Sequence, residues 1–307
     1  MVAAAFLVIA ATFAETKTLA LQIHLDRAGF SCNTIDGVWG RKAARALARF
    51  CKERGETPPP SPDAAFDRYF ANSPDPFRIE TVTAADIAAL VKIPESPAAK
   101  AGLARMGYES IKEMFAERGH LSQIALARMN PGVDWKNIKP GLKLVIPDFP
   151  PFAEEFAAAN RGVPRRPKRP EAALVKVSLS EHEITAYDSS GRLIALFPCS
   201  IAADKAKVPA QGDLRITSYV PWPNFTYTPD FTPRGAKVVR YIWPLGENCP
   251  VGVAWMGLNL TGYGIHGTPR PESVGFTGSH GCFRLANWNA ARLFAMCRSG
   301  TKVSIVK

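Results

Sequence analysis

Apolar positions follow two different periods along the chain. In the first half they recur at helical spacing. Leu21, Leu25 and Ala28 fall at i, i+4 and i+7, one face of a helix that Gly29 would stop. After an Asp36-Gly37 turn, Ala43, Leu47 and Phe50 line a second helix ending near Gly55. A strand-like Arg78–Val82 follows, then a helix carrying Ile111, Met114 and Phe115, and a shorter helix with Ser122 at its N-cap. Asn130-Pro131-Gly132 breaks the chain before a turn and short strand over Lys139–Pro147. From about residue 173 the period drops to two. Val175, Val177 and Leu179 alternate with Lys176, Ser178 and Ser180, as on a half-buried strand. Asp188-Ser189-Ser190-Gly191 reads as a hairpin turn into Leu193–Phe197. Further short apolar runs lie at Leu214–Ile216, Val238–Ile242, Val251–Trp255 and Lys302–Val306. One helix interrupts them, with Asn287 expected to cap Trp288–Arg298 and Gly300 beyond its last turn.

Proline marks the boundaries. Pro58-Pro59-Pro60-Ser61-Pro62, Pro74-Asp75-Pro76 and Pro147-Asp148-Phe149-Pro150-Pro151 cannot continue a helix. Arg161–Pro170 carries five basic residues and no acidic one, and reads as an extended, exposed linker. At the start, the thirteen apolar residues Val2–Ala14 are too short to span a bilayer comfortably. They suit a secretory signal cut after Ala14, although no Lys or Arg precedes them; a buried first helix or a misplaced start is the alternative. No cysteine follows the run, which speaks against a lipoprotein anchor.

The 307 residues carry 38 Lys+Arg against 27 Asp+Glu, a net +11. The excess lies in the proline-rich linker and in the C-terminal segment rather than along one helix with interleaved aromatics, so nucleic acid is not the expected partner.

The chemistry concentrates in Tyr263-Gly264-Ile265-His266-Gly267-Thr268-Pro269 and Ser279-His280-Gly281-Cys282-Phe283-Arg284-Leu285. A thiol needs a neighbour that favours its anion before it can act as a nucleophile. His266, at the end of a strand-like run, can reach Cys282 through a hairpin return and take its proton. Backbone N–H groups around Gly281 and Cys282 could hold a developing oxyanion. The plainer readings are a small buried hydrophobe for the cysteine and a structural role for the histidine. His266, His280 and Cys282 lack the fourth ligand of a zinc site, so no metal or other cofactor is expected.

Three resemblances organise these segments. Leu21–Phe30, Ile35–Gly40 and Ala46–Phe50 resemble the peptidoglycan-binding domain of cell-wall enzymes. The 77–148 pattern, with Asn130-Pro131-Gly132 before Lys139–Pro147, is similar to LysM modules, departing from them by an insertion near residues 90–105. The HGTP and SHGCFRL pair, preceded by Pro250–Leu258 and Gly262-Tyr263-Gly264, resembles the L,D-transpeptidase catalytic domain of the YkuD type.

Together they imply a multidomain α+β protein. Its parts would be a signal peptide over 1–14, a small helical peptidoglycan-binding-like unit over 15–55 and a linker over 56–76. A βααβ LysM-like unit over 77–148 and a basic Pro-rich linker over 149–172 would follow. Last would come a β-rich catalytic domain over 173–307, a β-sandwich with a short helix.

The resemblance implies Cys282 as nucleophile and His266 as general base, with the Gly267 carbonyl orienting the imidazole and His280 shaping the oxyanion region. Arg284 would sit near a substrate carboxylate or in loop packing, and Ser279 would fix the loop. Tyr263 and Trp255 are the further substrate-contact candidates. Phe283 stands where a smaller aliphatic is commoner, and Cys249 where the family usually shows Asn. Trp222 and Tyr227 lie in a stretch resembling the family's Pro-rich lid.

The implied activity is 3–3 cross-linking of peptidoglycan stem peptides, or attachment of an acceptor protein or lipoprotein to the wall. An L,D-carboxypeptidase or a non-catalytic wall-binding protein is the alternative, and stem peptides and glycan strands are the implied partners in a periplasmic or wall-associated setting. A catalytic Cys282 must stay reduced. Among the other five cysteines, Cys32 and Cys51 flank one turn-and-helix unit and are the expected bridge.

Overall fold

A computed structural model describes residues 13–159, 170–229, 237–276, 278–279 and 281–307. Most of the run read as a signal, and residues 160–169 of the basic linker, lie outside these residues; the first part of that linker is instead structured, with Phe149 and Phe156 buried and a helix over Phe152–Ala159. Among the described residues no helix is long and apolar enough to cross a membrane.

The first segment holds α1 (Phe13–Arg27), α2 (Arg41–Lys52) and α3 (Pro62–Tyr69). Leu21 and Leu25 are fully buried against Ala43, Leu47 and Phe50 of α2, whose apolar stripe is the one the sequence spacing marks. Ala28 departs from that expectation: α1 ends at Arg27, and Ala28 is exposed. The stop itself is a glycine C-cap. Gly29 takes φ +96°, and the Phe30 N–H reaches back to the Leu25 carbonyl at 2.8 Å. A Cβ on Gly29 would also stand 2.7 Å from the Ile194 carbonyl oxygen, so glycine is required by neighbour as well as by torsion. Gln22 pins the Asp36-Gly37 turn, accepting from the Gly37 N–H at 2.8 Å and donating to the Val38 carbonyl at 3.0 Å.

The second segment runs β1 (Phe77–Thr81), α4 (Ala84–Ala88), α5 (Pro97–Ala101), α6 (Ile111–Arg118), α7 (Gln123–Met129) and β2 (Lys143–Pro147), followed by α8 (Phe152–Ala159). The two strands pair antiparallel from Phe77↔Pro147 to Thr81↔Lys143. Met114, Phe115, Leu126, Leu144 and Ile146 form the core beneath them. Side-chain caps start the helices: Ser110 accepts from Glu113 N–H, Ser122 from Ala125 N–H, and Thr83 with Asp86 forms a reciprocal box. The insertion seen in the sequence is α5 and its flanks. It packs on the third segment, where the Trp243 indole donates to the Pro97 carbonyl at 3.0 Å.

The third segment comprises β3 (Leu174–Ser178), β4 (Glu183–Tyr187), β5 (Leu193–Pro198), β6 (Gly212–Pro221), β7 (Phe225–Tyr227), β8 (Tyr241–Trp243), β9 (Ala254–Leu258), β10 (Gly264–His266), β11 (Phe283–Arg284), α9 (Asn287–Met296) and β12 (Lys302–Val306). Where a sandwich was expected, eight strands join in the order β11-β10-β9-β6-β12-β3-β4-β5. The join is β6, which pairs with β12 through Gly212–Arg215 and with β9 through Ile216–Pro221, with a register shift between Ile216 and Ser218. Both halves of the sheet and α9 share one core, Val175, Phe197, Met256, Ile265, Phe283 and Phe294 among its members.

Four local expectations change. The run at 251–255 is a turn whose strand starts only at Ala254. Val238 and Val239 are exposed, and the strand near them starts at Tyr241. Ala286, not Asn287, is the N-cap of α9, and Asn287 is wholly buried inside the helix start. All six cysteines are free. Cys32 and Cys51 are buried as small apolar groups, the Cys51 thiol lying 3.4 Å from the Tyr69 hydroxyl, so burial rather than a bridge holds them.

The first segment is docked on the third, which explains why α1 is buried nearly all round. Leu193 and Leu196 of β5 join its core. Asp26 of α1 forms an ion pair at 2.7 Å with Arg292 of α9, their side chains 0% and 2% exposed. His120 completes the cluster, its Nδ1 3.1 Å from Asp26 Oδ1 and its ring stacked between Phe149 and Trp288.

Candidate active site

Three short pairings place the chemistry. β10 lies between β9 and β11, antiparallel to the first and parallel to the second. Ile265 and Phe283 are opposite each other and both fully buried in the core. Strand alternation therefore turns His266 and Arg284, also paired, to the other face, and one step back along the same face comes Cys282. A parallel crossover, not the expected hairpin return, thus brings the two strands carrying these residues side by side, because β10 and β11 run in the same direction.

The loop before Cys282 is clipped to the extended segment that follows β5. Ser279 N–H donates to the Ile201 carbonyl at 2.7 Å, and Ala203 N–H to the Ser279 carbonyl at 3.1 Å. Arg284 and Ser200 exchange both backbone bonds, at 2.9 and 3.0 Å. Within the loop the Ser279 hydroxyl donates to the Cys282 carbonyl and accepts from the Gly281 N–H at 3.2 Å. Ser279 therefore holds the turn shape, and the Gly281 N–H is engaged within the loop. Gly281 takes φ +154°, with the Tyr263 ring against it. The Tyr263 hydroxyl donates to the Lys207 carbonyl at 2.9 Å. The Arg284 guanidinium donates to the Gly278 carbonyl, packing the loop it follows. Trp255 stacks on His266 at 5.6 Å, with its indole N–H on Ser218 Oγ at 3.2 Å. His280 lies outside the described residues.

The imidazole is set by one bond. His266 Nδ1 is 2.6 Å from the Gly267 carbonyl oxygen, which can only accept, so Nδ1 carries the proton and Nε2 presents a lone pair. Burial lowers the His266 pKa to about 4, and the Arg284 charge acts the same way against the Gly267 bond. Burial raises the Cys282 thiol above its ordinary value, while a Gly264 backbone contact and the Arg284 charge pull it back in part. Both shifts favour neutral forms. The resting pair at neutral pH is thiol and imidazole, and the proton moves when the sulfur attacks.

The remaining aromatics and thiols pack. Trp222 lies against Phe152 and Phe156 with Arg105 over its face at 4.5 Å, and Tyr227 stacks on Trp243 at 4.5 Å. Cys249 is fully buried, its thiol pushed up to about 11 by burial. Phe283 fills the core. Among the described residues no cluster of His, Cys, Asp and Glu could hold a metal ion. Sequence reasoning missed Asn287, because a polar residue at a helix start reads as a cap.

The Cys282 thiol donates to the Gly262 carbonyl at 3.6 Å; a cysteine at the start of the strand paired with that of a histidine of fixed tautomer is an arrangement suited to thiol acyl transfer. Residues 172–305 match the family model of the L,D-transpeptidase catalytic domain, YkuD, and this part of the chain is such a domain. The YkuD protein of Bacillus licheniformis is 28% identical over 181 residues, 59% of this chain and 84% of that protein. The L,D-transpeptidase-like ORF 5 protein from the ATP synthase subunits region of Fuscovulum blasticum is 34% identical over 125 residues, 39% of this chain and 62% of that protein. A solved L,D-transpeptidase from Mycobacterium smegmatis superposes with a TM-score of 0.34 at 17% identity, covering 44% of this chain and 58% of that one.

Proposed function

We propose that the chain is a periplasmic or wall-associated peptidoglycan L,D-transpeptidase. The observation that carries this reading is the Nδ1–H bond to Gly267, which leaves His266 Nε2 free to accept on the sheet face that carries Cys282. The Cys282 sulfur attacks the carbonyl at the L-centre of the third residue of a stem tetrapeptide. Its proton passes to Nε2 and then to the departing amine of the terminal D-Ala, leaving a thioester. The Cys282 N–H, with Gly281 engaged by Ser279, supports the oxyanion. An amine of a neighbouring stem then takes the acyl group, re-forming the thiol and giving a 3–3 cross-link. A lysine on an acceptor protein would instead tether that protein, and water would give carboxypeptidase activity.

The two N-terminal segments, with their peptidoglycan-binding-like and LysM-like patterns, would hold glycan strands. The apolar run at the start would direct export. Tetrapeptide muropeptides incubated with the protein should lose D-Ala and gain cross-linked dimers by mass spectrometry, whereas Cys282→Ala should release none. Undiminished release by that variant would sink the assignment. Binding to sacculi with no thiol labelling of Cys282 would favour the non-catalytic wall-binding alternative.

A further inference from the structure

The tautomer of His266 depends on where the Gly267 carbonyl points, and the structure shows what stands behind Gly267. The Asn287 side chain, 0% exposed, drives its amide oxygen between two glycines from different loops. A Cβ on Gly252 would stand 2.0 Å from that oxygen, and one on Gly267 would stand 2.3 Å from it. The same oxygen accepts from the Val253 N–H at 3.3 Å, and the amide nitrogen donates to the Glu247 carbonyl at 3.0 Å. These two bonds fix which way round the amide sits, since one demands an acceptor and the other a donor. The loop over Glu247–Val253 and the residue after the catalytic histidine are therefore locked through a single side chain.

The loop that this amide holds is also reached from outside the catalytic segment: the Asn248 side chain donates to the Gly107 carbonyl at 3.0 Å and to the Glu113 carboxyl at 2.7 Å. Glu117 of α6, 7% exposed, lines the small cavity beside Glu247 and Asn248. Burial pushes Glu117 up to about 8, with the charges of Glu247 and Glu113 acting in the same direction.

We propose that Asn287 is a positioning residue for the general base, setting the Gly267 carbonyl and through it the His266 tautomer. The inference rests on the reading of Cys282 and His266 as the reacting pair, and it adds to that reading the side chain that holds the base in place.

The test needs no peptidoglycan, so it can fail independently of the substrate assignment. Imidazole 15N spectra of the full chain at pH 7 should show His266 as one tautomer protonated at Nδ1. Asn287→Leu keeps the branched shape and removes both polar atoms. It should give a mixture of tautomers, and alkylation of Cys282 by iodoacetamide should slow about tenfold. Asn287→Asp keeps an oxygen against the two glycines and should retain the single tautomer. Asn287→Ser serves in place of the leucine variant if that one does not fold, with the same expectation. If melting temperatures fall while His266 keeps its single tautomer in the leucine or serine variant, Asn287 is only structural and the proposal is overturned. An aspartate variant that loses the tautomer equally overturns it as well.

Discussion

Removing the Asp26 carboxylate should expose how strongly the N-terminal segments hold the catalytic domain. Asp26 Oδ1 lies 2.7 Å from Arg292, and the Asp26 backbone carbonyl accepts from the same guanidinium at 2.7 Å. Neither side chain meets solvent to any useful extent. Asp26→Ala leaves a buried cation facing one carbonyl and a histidine, and breaking one side of such a pair costs about 3–5 kcal/mol. That is a large part of the roughly 5–15 kcal/mol that a folded domain has in total. Equilibrium urea unfolding, followed by tryptophan fluorescence, measures it, because Trp288 stacks on His120 within the cluster. Asp26→Leu combined with Arg292→Met removes both charges and should recover most of the loss. The pH dependence has a definite sign. Burial pushes the Asp26 carboxyl up, but the charges of Arg292 and His120 outweigh it and hold the carboxyl below its ordinary range. The folded state therefore binds this proton less readily than the unfolded one. The contribution is complete above about pH 4 and fades as pH falls further. A loss under about 1 kcal/mol for Asp26→Ala, or a double variant as unstable as the summed singles, would refute the reasoning.

Other outcomes follow from the same structure. Burial lowers His24 and His266 to about 4, so both resist protonation when folded, and thermal stability should decline as pH falls from about 6.5 toward 4. A flat melting profile across that window would contradict it. Glu117 has the opposite sign: its folded value near 8 means that its contribution is complete below about 4.5 and is lost as pH rises through 8. Glu117→Gln should flatten that alkaline decline in thermal melts. Thiol titration in denaturant without reductant should find six reactive groups, and four would restore a Cys32–Cys51 bridge. Leu25→Ala should cost about 2–5 kcal/mol in urea unfolding, because the side chain is fully buried between two segments.

Much of this molecule follows from local sequence pattern. The i, i+4 spacing of Leu21 and Leu25, the serines at helix starts and the alternation around Val175 and Val177 each specify an element through neighbours a few residues away. The catalytic loop is legible too, because Ser279, Gly281 and Cys282 carry their chemistry within one turn. What the sequence left open are contacts between distant residues. Whether Gln22, His24 and Asp26 face water depends on what packs on α1, and Asp26 meets an arginine 266 positions away. Asn287 reads as a cap from its neighbours, yet the glycines of two remote loops turn it inward. Cys32 and Cys51 could be bridged or free by spacing alone, and only the core around them decides. Periodicity is a property of the local backbone and is written along the chain. The burial of a polar group, and with it the tautomer of His266, is settled only when separate segments close over it and its unpaired alternatives become too costly.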